Sequence, residues 1–309
     1  MTNAVNADWS LIIFHLSLKA GGPVDIIGII GAGTMGAGIA QVAASHGHNV
    51  VLYDVQAALA QRGLERIMQS LARAVQKQQI DRAAQEATLA HLWTTTDLSD
   101  MSTATIVIEV VPEDLALKRD LFRALDHLCC AETLLCSNTS SLSITALGGV
   151  TQRADRVAGL HFFNPAPVMP LIEVVRGDAT STETISRLID LARRWGKTPV
   201  LVKDTPGFIV NRVARPFYGE ALRLLDQQVA DAETIDRIAR AAGFKMGPFE
   251  LLDLIGLDVN LAVTQSIYAA YFHEARFRPV PTQQRRVDAN LLGRKTGRGF
   301  YVYPTENKP

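Results

Sequence analysis

Two titratable residues stand inside otherwise apolar, strand-like stretches: His161 in Val157-Ala-Gly-Leu-His-Phe-Phe163 and Glu173 in Leu171-Ile-Glu-Val-Val175. A lone buried histidine is more often structural than catalytic. Two such residues on successive strands, joined by the tight turn Asn164-Pro165-Ala166-Pro167, suggest a working pair. A carboxylate beside an imidazole fixes its tautomer and stabilises its protonated form, which suits a general base. A second group of residues can hold an anion. Gly28-Ile-Ile-Gly31-Ala32-Gly33-Thr34-Met35-Gly36 follows the apolar run Val24–Ile30 and opens onto the helix-like Ala37–Ala44. Strand, glycine turn and helix form the context of a dinucleotide fingerprint. Gly31 allows the turn, Gly33 lets backbone N–H groups approach a pyrophosphate, and Gly36 lets helix and strand pack closely. A second strand, Asn49–Tyr53, leads into Asp54, eighteen residues past Gly36. An acid there binds both ribose hydroxyls and repels a 2′-phosphate, so NAD is expected rather than NADP. The competing reading is a glycine turn with no ligand.

These residues need a scaffold, and the chain alternates strands with helices as far as residue 203. Thr105–Val111 reads as a buried strand, ended by Pro112, with Glu113-Asp114 starting a helix through Lys118. Leu134–Cys136 is a short strand running into the polar cluster Ser137-Asn138-Thr139-Ser140-Ser141. That cluster lies at the sheet edge where open parallel sheets bind ligands, or it caps a helix beginning near Ile144. Residues 56–91 are helix-rich. Arg62, Arg66, Ser70, Arg73 and Lys77 recur there at intervals of four, four, three and four, forming one basic face that either meets phosphates or is merely solvated. Thr182–Trp195 is an amphipathic helix and Pro199–Val202 a last strand. After Lys203-Asp204-Thr205-Pro206-Gly207 only helices follow: Phe208–Gln227, Ala232–Ala242, Phe249–Leu254 and Val259–Glu274. The expected fold is therefore α/β, a Rossmann-type doubly wound sheet followed by an all-α C-terminal domain. The divisions fall at an N-terminal extension over 1–23, a dinucleotide-binding domain over 24–204 and a helical domain over 205–309. The helices carry more apolar residues than one small domain needs, which suggests a subunit interface.

The 309 residues are 48% hydrophobic, with 31 basic and 31 acidic side chains and no net charge. No global field invites nucleic acid or acidic lipid. The longest apolar runs fall short of a membrane span. Leu11–Leu18 is apolar but lacks the basic flank of a signal peptide. Three cysteines, Cys129, Cys130 and Cys136, are an odd number without metal-ligand spacing. They point to a reduced cytoplasm, with no disulfide framework and no metal.

The motifs GAGTMGAGIAQ, SNTSSLSIT, GLHFFNPAPVM, IEVV, KDTPGFIVNR, MGPFELLDLIG and GRKTGRGFYVY together resemble the L-3-hydroxyacyl-CoA dehydrogenase family over about residues 24–304. The resemblance implies an NAD-binding Rossmann domain and a helical domain that forms a homodimer. It makes His161 the catalytic base and Glu173 its partner. It also assigns Ser140 and Asn211 to hold the substrate's oxygens, Ser140 being preferred over Ser137 by its separation from His161. For NAD it implies Gly31, Ala32, Gly33, Thr34, Met35 and Gly36, with Asp54, Glu113 and Lys118, and places Asn138 and Lys295 beside the nicotinamide half. It gives the basic helix a purpose, since positions matching Ser70 and Lys77 contact CoA in the family. The implied reaction is NAD-dependent oxidation of an L-3-hydroxyacyl-CoA to a 3-oxoacyl-CoA.

NRVARPFY, FELLDLIGLDVNLAVTQS and ARFRPV are most similar to the members acting on 3-hydroxyadipyl-CoA in bacterial phenylacetate breakdown, with 3-hydroxybutyryl-CoA as an alternative substrate. Asn211 and Arg215 are four apart, hence on one helical face. A guanidinium there could bind the distal carboxylate of a dicarboxylyl-CoA, or pair with an acid such as Glu220, or cap an interface. Two rival functions stand beside this. One is a hydroxy-acid dehydrogenase of the gulonate-dehydrogenase or crystallin branch, which would not need the basic helix. The other is a non-catalytic NAD-binding protein, for which the intact Ser140, His161, Glu173 and Asn211 speak poorly.

Overall fold

The computed structural model describes residues 25–303. The expected extension over 1–23 lies outside them. Cα packing divides the chain into two compact units: residues through Thr139 with Ile144–Lys203, and Ser140–Ser143 with the residues from Asp204 onward.

The first unit is a sheet of eight strands: β1 Ile26–Ile30, β2 Asn49–Tyr53, β3 Leu92–Thr95, β4 Ile106–Glu109, β5 Leu134–Ser137, β6 Val157–Phe162, β7 Leu171–Arg176 and β8 Thr198–Lys203. Their spatial order is β3-β2-β1-β4-β5-β6-β7-β8. Every pairing is parallel except β6 with β7. Helices α1 Thr34–Ser45, α2 Ala57–Gln76, α3 Arg82–Ala90, α4 Leu115–Leu128, α5 Ile144–Gly148 and α6 Thr182–Arg194 complete this unit. All residues of β1, β4, β5 and β6 are buried, which explains why their apolar residues follow one another without alternating with polar ones: strands covered on both faces show no alternation. The chain runs outward through β2 and β3, then returns to β4 on the other side of β1. The carboxyl ends of β1 and β4 therefore form a topological switch point, the crevice where such sheets bind ligands.

The second unit holds α7 Val210–Asp226, α8 Ala232–Ala241, α9 Pro248–Ile255, α10 Leu257–Ala270 and α11 Pro281–Asp288. Tyr218, Leu222, Phe249, Leu252 and Leu257 form its core. Two buried carboxylates fasten it. Asp236 accepts the N–H groups of Phe249 and Glu250 at the start of α9 and the Tyr301 hydroxyl. Asp253 accepts the N–H groups of Phe300 and Tyr301 and the Tyr303 hydroxyl. The glycines of the C-terminal segment have a packing reason, since a Cβ at Gly299 would collide with Asp253.

Three departures from the sequence reading are local. β3 was unforeseen, because four half-buried residues at a sheet edge give no periodic signal. The expected helix Val259–Glu274 starts earlier, at Leu257, and ends at Ala270, where Phe272 and His273 take positive φ. α11 was missed because its sequence, PTQQRRVD, has almost no apolar residue. Its signal is Pro281 at the first helical position.

Candidate active site

Gly31 sits at φ +105°, and a Cβ there would lie 2.7 Å from the Val110 carbonyl oxygen, so only glycine fits. A Cβ at Gly36 would lie 1.8 Å from the Gly31 oxygen. Gly33 meets nothing within 4 Å and precedes α1 without a side-chain cap. Gly33 and Thr34 are exposed, so α1 begins at the surface with no side chain on its first N–H groups and the positive end of the helix dipole behind them. Asp54, just past β2, accepts the Ala32 N–H through Oδ2 at 2.9 Å. That bond ties the acid to the glycine turn, beside the helix end. The glycine cradle, uncapped helix and adjacent acid fit a dinucleotide with an unsubstituted ribose.

Around the ends of β4 and β5 lies a polar cluster that the sequence reading caught only in part. Glu109 is fully buried at the last position of β4. Its Oε1 takes Lys118 Nζ at 2.6 Å and the Val111 N–H at 2.7 Å, and its Oε2 takes the Ser137 hydroxyl at 2.6 Å. Lys118 also donates to the Val111 carbonyl and lies 3.3 Å from Glu113. Glu113 accepts the Thr139 hydroxyl at 2.5 Å. Lys118 is 1% exposed, so the lysine expected to meet NAD spends its charge on the loop itself, with the more exposed Glu113 on the outer side. Glu109 was legible by the criterion applied to Glu173, a carboxylate within an apolar strand, yet was not singled out. Ser137 is buried against Glu109, whereas Ser140 groups with the helical unit. Ser137 and Ser140 of the SNTSS run therefore have different surroundings.

β6 and β7 place His161 directly opposite Glu173 in the antiparallel register. Side chains of facing residues lie on the same side of a sheet, and the imidazole Nδ1 is 2.8 Å from Glu173 Oε2. Both are buried, and the Phe163 ring lies 4.6 Å from the imidazole centroid. Glu173 accepts at Nδ1, so the ring carries its proton there and directs its basic nitrogen, Nε2, the other way. Asn138 holds the neighbouring strand end, its Oδ1 accepting the Phe162 N–H at 2.8 Å. Beyond the turn, Lys197 Nζ donates to the carbonyls of Ala166, Pro167 and Met169, a clamp that sequence spacing did not suggest.

A cleft of about 260 Å³ runs between α2 and that turn. It is lined by Arg66, Ser70 and Arg73 on one side and Asn164, Pro165 and Val168 on the other. Arg66 also donates to the Ala32 carbonyl. Ser70 thus faces a cavity with two arginines beside it. Lys77 caps the C-terminal end of α2 and is exposed, outside the cleft lining.

Within the helical unit, Asn211 Nδ2 lies 3.4 Å from the Ser140 carbonyl. Arg215 is 5% exposed. Its Nε donates to the Asn211 carbonyl, one terminal nitrogen to the Asn260 carbonyl and the Thr264 hydroxyl, and the other to Asn211 Oδ1 at 3.5 Å. It lies over the Tyr218 ring, and burial brings its guanidinium down to about 10. Among the described residues no carboxylate pairs with it; Glu220, one candidate partner, pairs with Arg223. Its N–H groups are directed at carbonyl, amide and hydroxyl oxygens of its own unit. Lys295 lies in the same unit and pairs with Asp258 at 2.5 Å.

The family model described as "3-hydroxyacyl-CoA dehydrogenase, NAD binding domain" matches residues 26–205, and that for the C-terminal domain matches residues 207–303. The chain is 50% identical over 286 residues to the 3-hydroxyadipyl-CoA dehydrogenase of Escherichia coli K12, a match over 92% of this chain but 60% of that protein. It is 43% identical over 282 residues to the mitochondrial hydroxyacyl-coenzyme A dehydrogenase of Sus scrofa, covering 89% of this chain and 90% of the other. Among solved structures, (S)-3-hydroxybutyryl-CoA dehydrogenase from Ralstonia eutropha superposes with a TM-score of 0.87 at 41% identity, covering 91% of this chain and all of the other.

Proposed function

The chain belongs to the 3-hydroxyacyl-CoA dehydrogenase family, and from that premise we propose that it reversibly oxidises an L-3-hydroxyacyl-CoA to the 3-oxoacyl-CoA with NAD. The observation that carries this reading is the 2.8 Å contact of His161 with Glu173 in a sheet that also bears the glycine cradle. NAD, held by the α1 N-terminus and Asp54 with Glu113, Asn138 and Lys295 toward its other half, supplies the hydride acceptor. His161 takes the proton of the 3-hydroxyl at Nε2, and Glu173 stabilises the imidazolium that results. Ser140 and Asn211 hold the substrate's oxygens. General-base action of this kind contributes roughly 10²–10⁴-fold in rate, and orientation of the reacting carbon supplies much of the rest. Ser70, with Arg66, Arg73 and the outlying Lys77, receives the phosphates of CoA. The name of the E. coli relative favours 3-hydroxyadipyl-CoA, and with it phenylacetate breakdown, while the R. eutropha structure favours 3-hydroxybutyryl-CoA.

The same reading takes the enzyme to be a cytoplasmic homodimer associating through its C-terminal helices. Val213, Val259 and Phe272 are large apolar residues exposed on that unit. All three cysteines are free, and burial pushes the Cys129 and Cys136 thiols up to about 11 and about 12. No described helix is long and apolar enough to cross a membrane.

The test is steady-state kinetics on 3-hydroxyacyl-CoAs of several lengths, one bearing a terminal carboxylate, beside free hydroxy and sugar acids. CoA esters are expected to be the substrates; preference for the free acids would transfer the chain to the gulonate-dehydrogenase branch. His161→Ala should still bind NADH, by fluorescence titration, while turnover falls roughly 10²–10⁴-fold. Near-wild-type turnover in that variant would remove the imidazole from the mechanism.

A further inference from the structure

Arg215 presents an unusual arrangement: a buried cation with no carboxylate beside it among the described residues, held entirely by neutral acceptors. Burying a charge in this way is expensive, so the contacts it makes are informative. Three of them anchor the guanidinium to α7 and α10. The fourth is the Asn211 side-chain amide. An asparagine amide has two ends of nearly equal shape, one donating and one accepting, and can present either by rotating half a turn. Arginine can only donate. A guanidinium fixed beside Asn211 therefore admits one rotation, Oδ1 toward the arginine and Nδ2 away from it. Nδ2 lies 3.4 Å from the Ser140 carbonyl, the orientation this requires. Asn260 extends the chain of bonds, its Oδ1 accepting from Gln283 of α11 at 3.0 Å, so the residue that receives Arg215 on α10 is itself held by a third helix.

We infer that Arg215 is a positioning residue that locks the Asn211 amide with its N–H₂ end presented to the substrate. The inference rests on the role given to Asn211 above. It replaces direct binding of a distal carboxylate, for which the fork would have to leave Asn260 and Thr264. The amide N–H₂ is the useful end because the oxygen it meets gains carbonyl character as the 3-hydroxyl becomes a ketone, and a carbonyl only accepts.

The test is a double-mutant cycle with Asn211→Ala, Arg215→Met and the double variant, assayed on 3-hydroxybutyryl-CoA and 3-hydroxyadipyl-CoA. Arg215→Met is expected to lower kcat about tenfold, the factor carried by one hydrogen bond of about 1.4 kcal/mol, and equally for both substrates. In the Asn211→Ala background it should change kcat by less than about twofold, because the group it acts through is gone. Additive losses would overturn the inference, and so would a loss confined to the adipyl substrate, which would restore direct carboxylate binding. If Asn211→Ala alone keeps wild-type kcat, Asn211 has no part in the reaction, and the inference falls with that reading. Asn211→Asp guards against misfolding. Its oxygens still accept from Arg215, so the melting temperature should hold, but it has no donor and kcat should fall as far as in Asn211→Ala. Wild-type kcat in Asn211→Asp would also overturn the inference.

Discussion

Ser137 and Ser140 stand three residues apart in one polar run and end in different surroundings. Ser137 gives its hydroxyl to the buried Glu109, while Ser140 belongs to the helical unit beside Asn211. Spacing from His161 favours Ser140 in the sequence, while the carboxylate that takes the Ser137 hydroxyl lies 28 positions earlier, where no local pattern reveals it. The His161–Glu173 pair was legible because charge inside an apolar strand is conspicuous and a short turn sets the register. Lys118 was legible as a position but not as a buried ion pair, since burial of an ammonium depends on Glu109 arriving from another element. The pair supports a graded prediction. Glu173→Gln keeps an acceptor for Nδ1 but loses the charge that steadies the imidazolium. A hydrogen bond to a charged group is worth about 1.5–3 kcal/mol, so kcat should fall roughly ten- to a hundredfold, less than in His161→Ala. A loss equal to that of His161→Ala would mean that the carboxylate does more than orient and stabilise.

Among the elements, the strands of the sheet centre were readable because each is a buried apolar run. β3 and α11 were not, because one is short and the other polar, and both are held by what they pack against. The start of α1 has the narrowest tolerance. A methyl at Gly36 would lie 1.8 Å from the Gly31 oxygen, so Gly36→Ala must move the helix away from β1. Overpacking of this kind costs typically 1–3 kcal/mol. A lowered melting temperature is expected, with NADH affinity, read by fluorescence titration, reduced at least tenfold. Unchanged affinity would mean that the helix end does not hold the dinucleotide. The basic face of α2 could be read from spacing alone, but its opposite wall could not. Asn164–Val168 comes from the β6–β7 turn nearly a hundred residues later, and only the fold sets it across from Ser70 and Arg73.

At the scale of the whole molecule, two units with separate cores account for the change from alternating to helical sequence pattern. Their packing boundary does not fall at one point in the chain, since Ser140–Ser143 groups with the helices. Ser143 bonds Asp204, and Ser141 bonds Ser266. A break in composition can mark Lys203–Gly207, but a four-residue segment changing allegiance leaves no compositional trace.

Ala32 has a consequence for how two ligands communicate. Its N–H is held by Asp54 and its carbonyl by Arg66, and α2 presses so close that a Cβ at Gly63 would lie 2.8 Å from the Ala32 methyl. If the adenylate grips the turn and the thioester's phosphates grip the helix, the two occupancies bear on the two peptide groups that flank one α-carbon. Thermodynamic reciprocity then requires each to change the other's dissociation constant by the same factor. Titrating NADH with and without saturating free CoA should reveal a factor of about five or more, at the lower end of ordinary coupling energies. It should vanish in Arg66→Met, and identical titration curves for the unaltered protein would show that the shared residue transmits nothing.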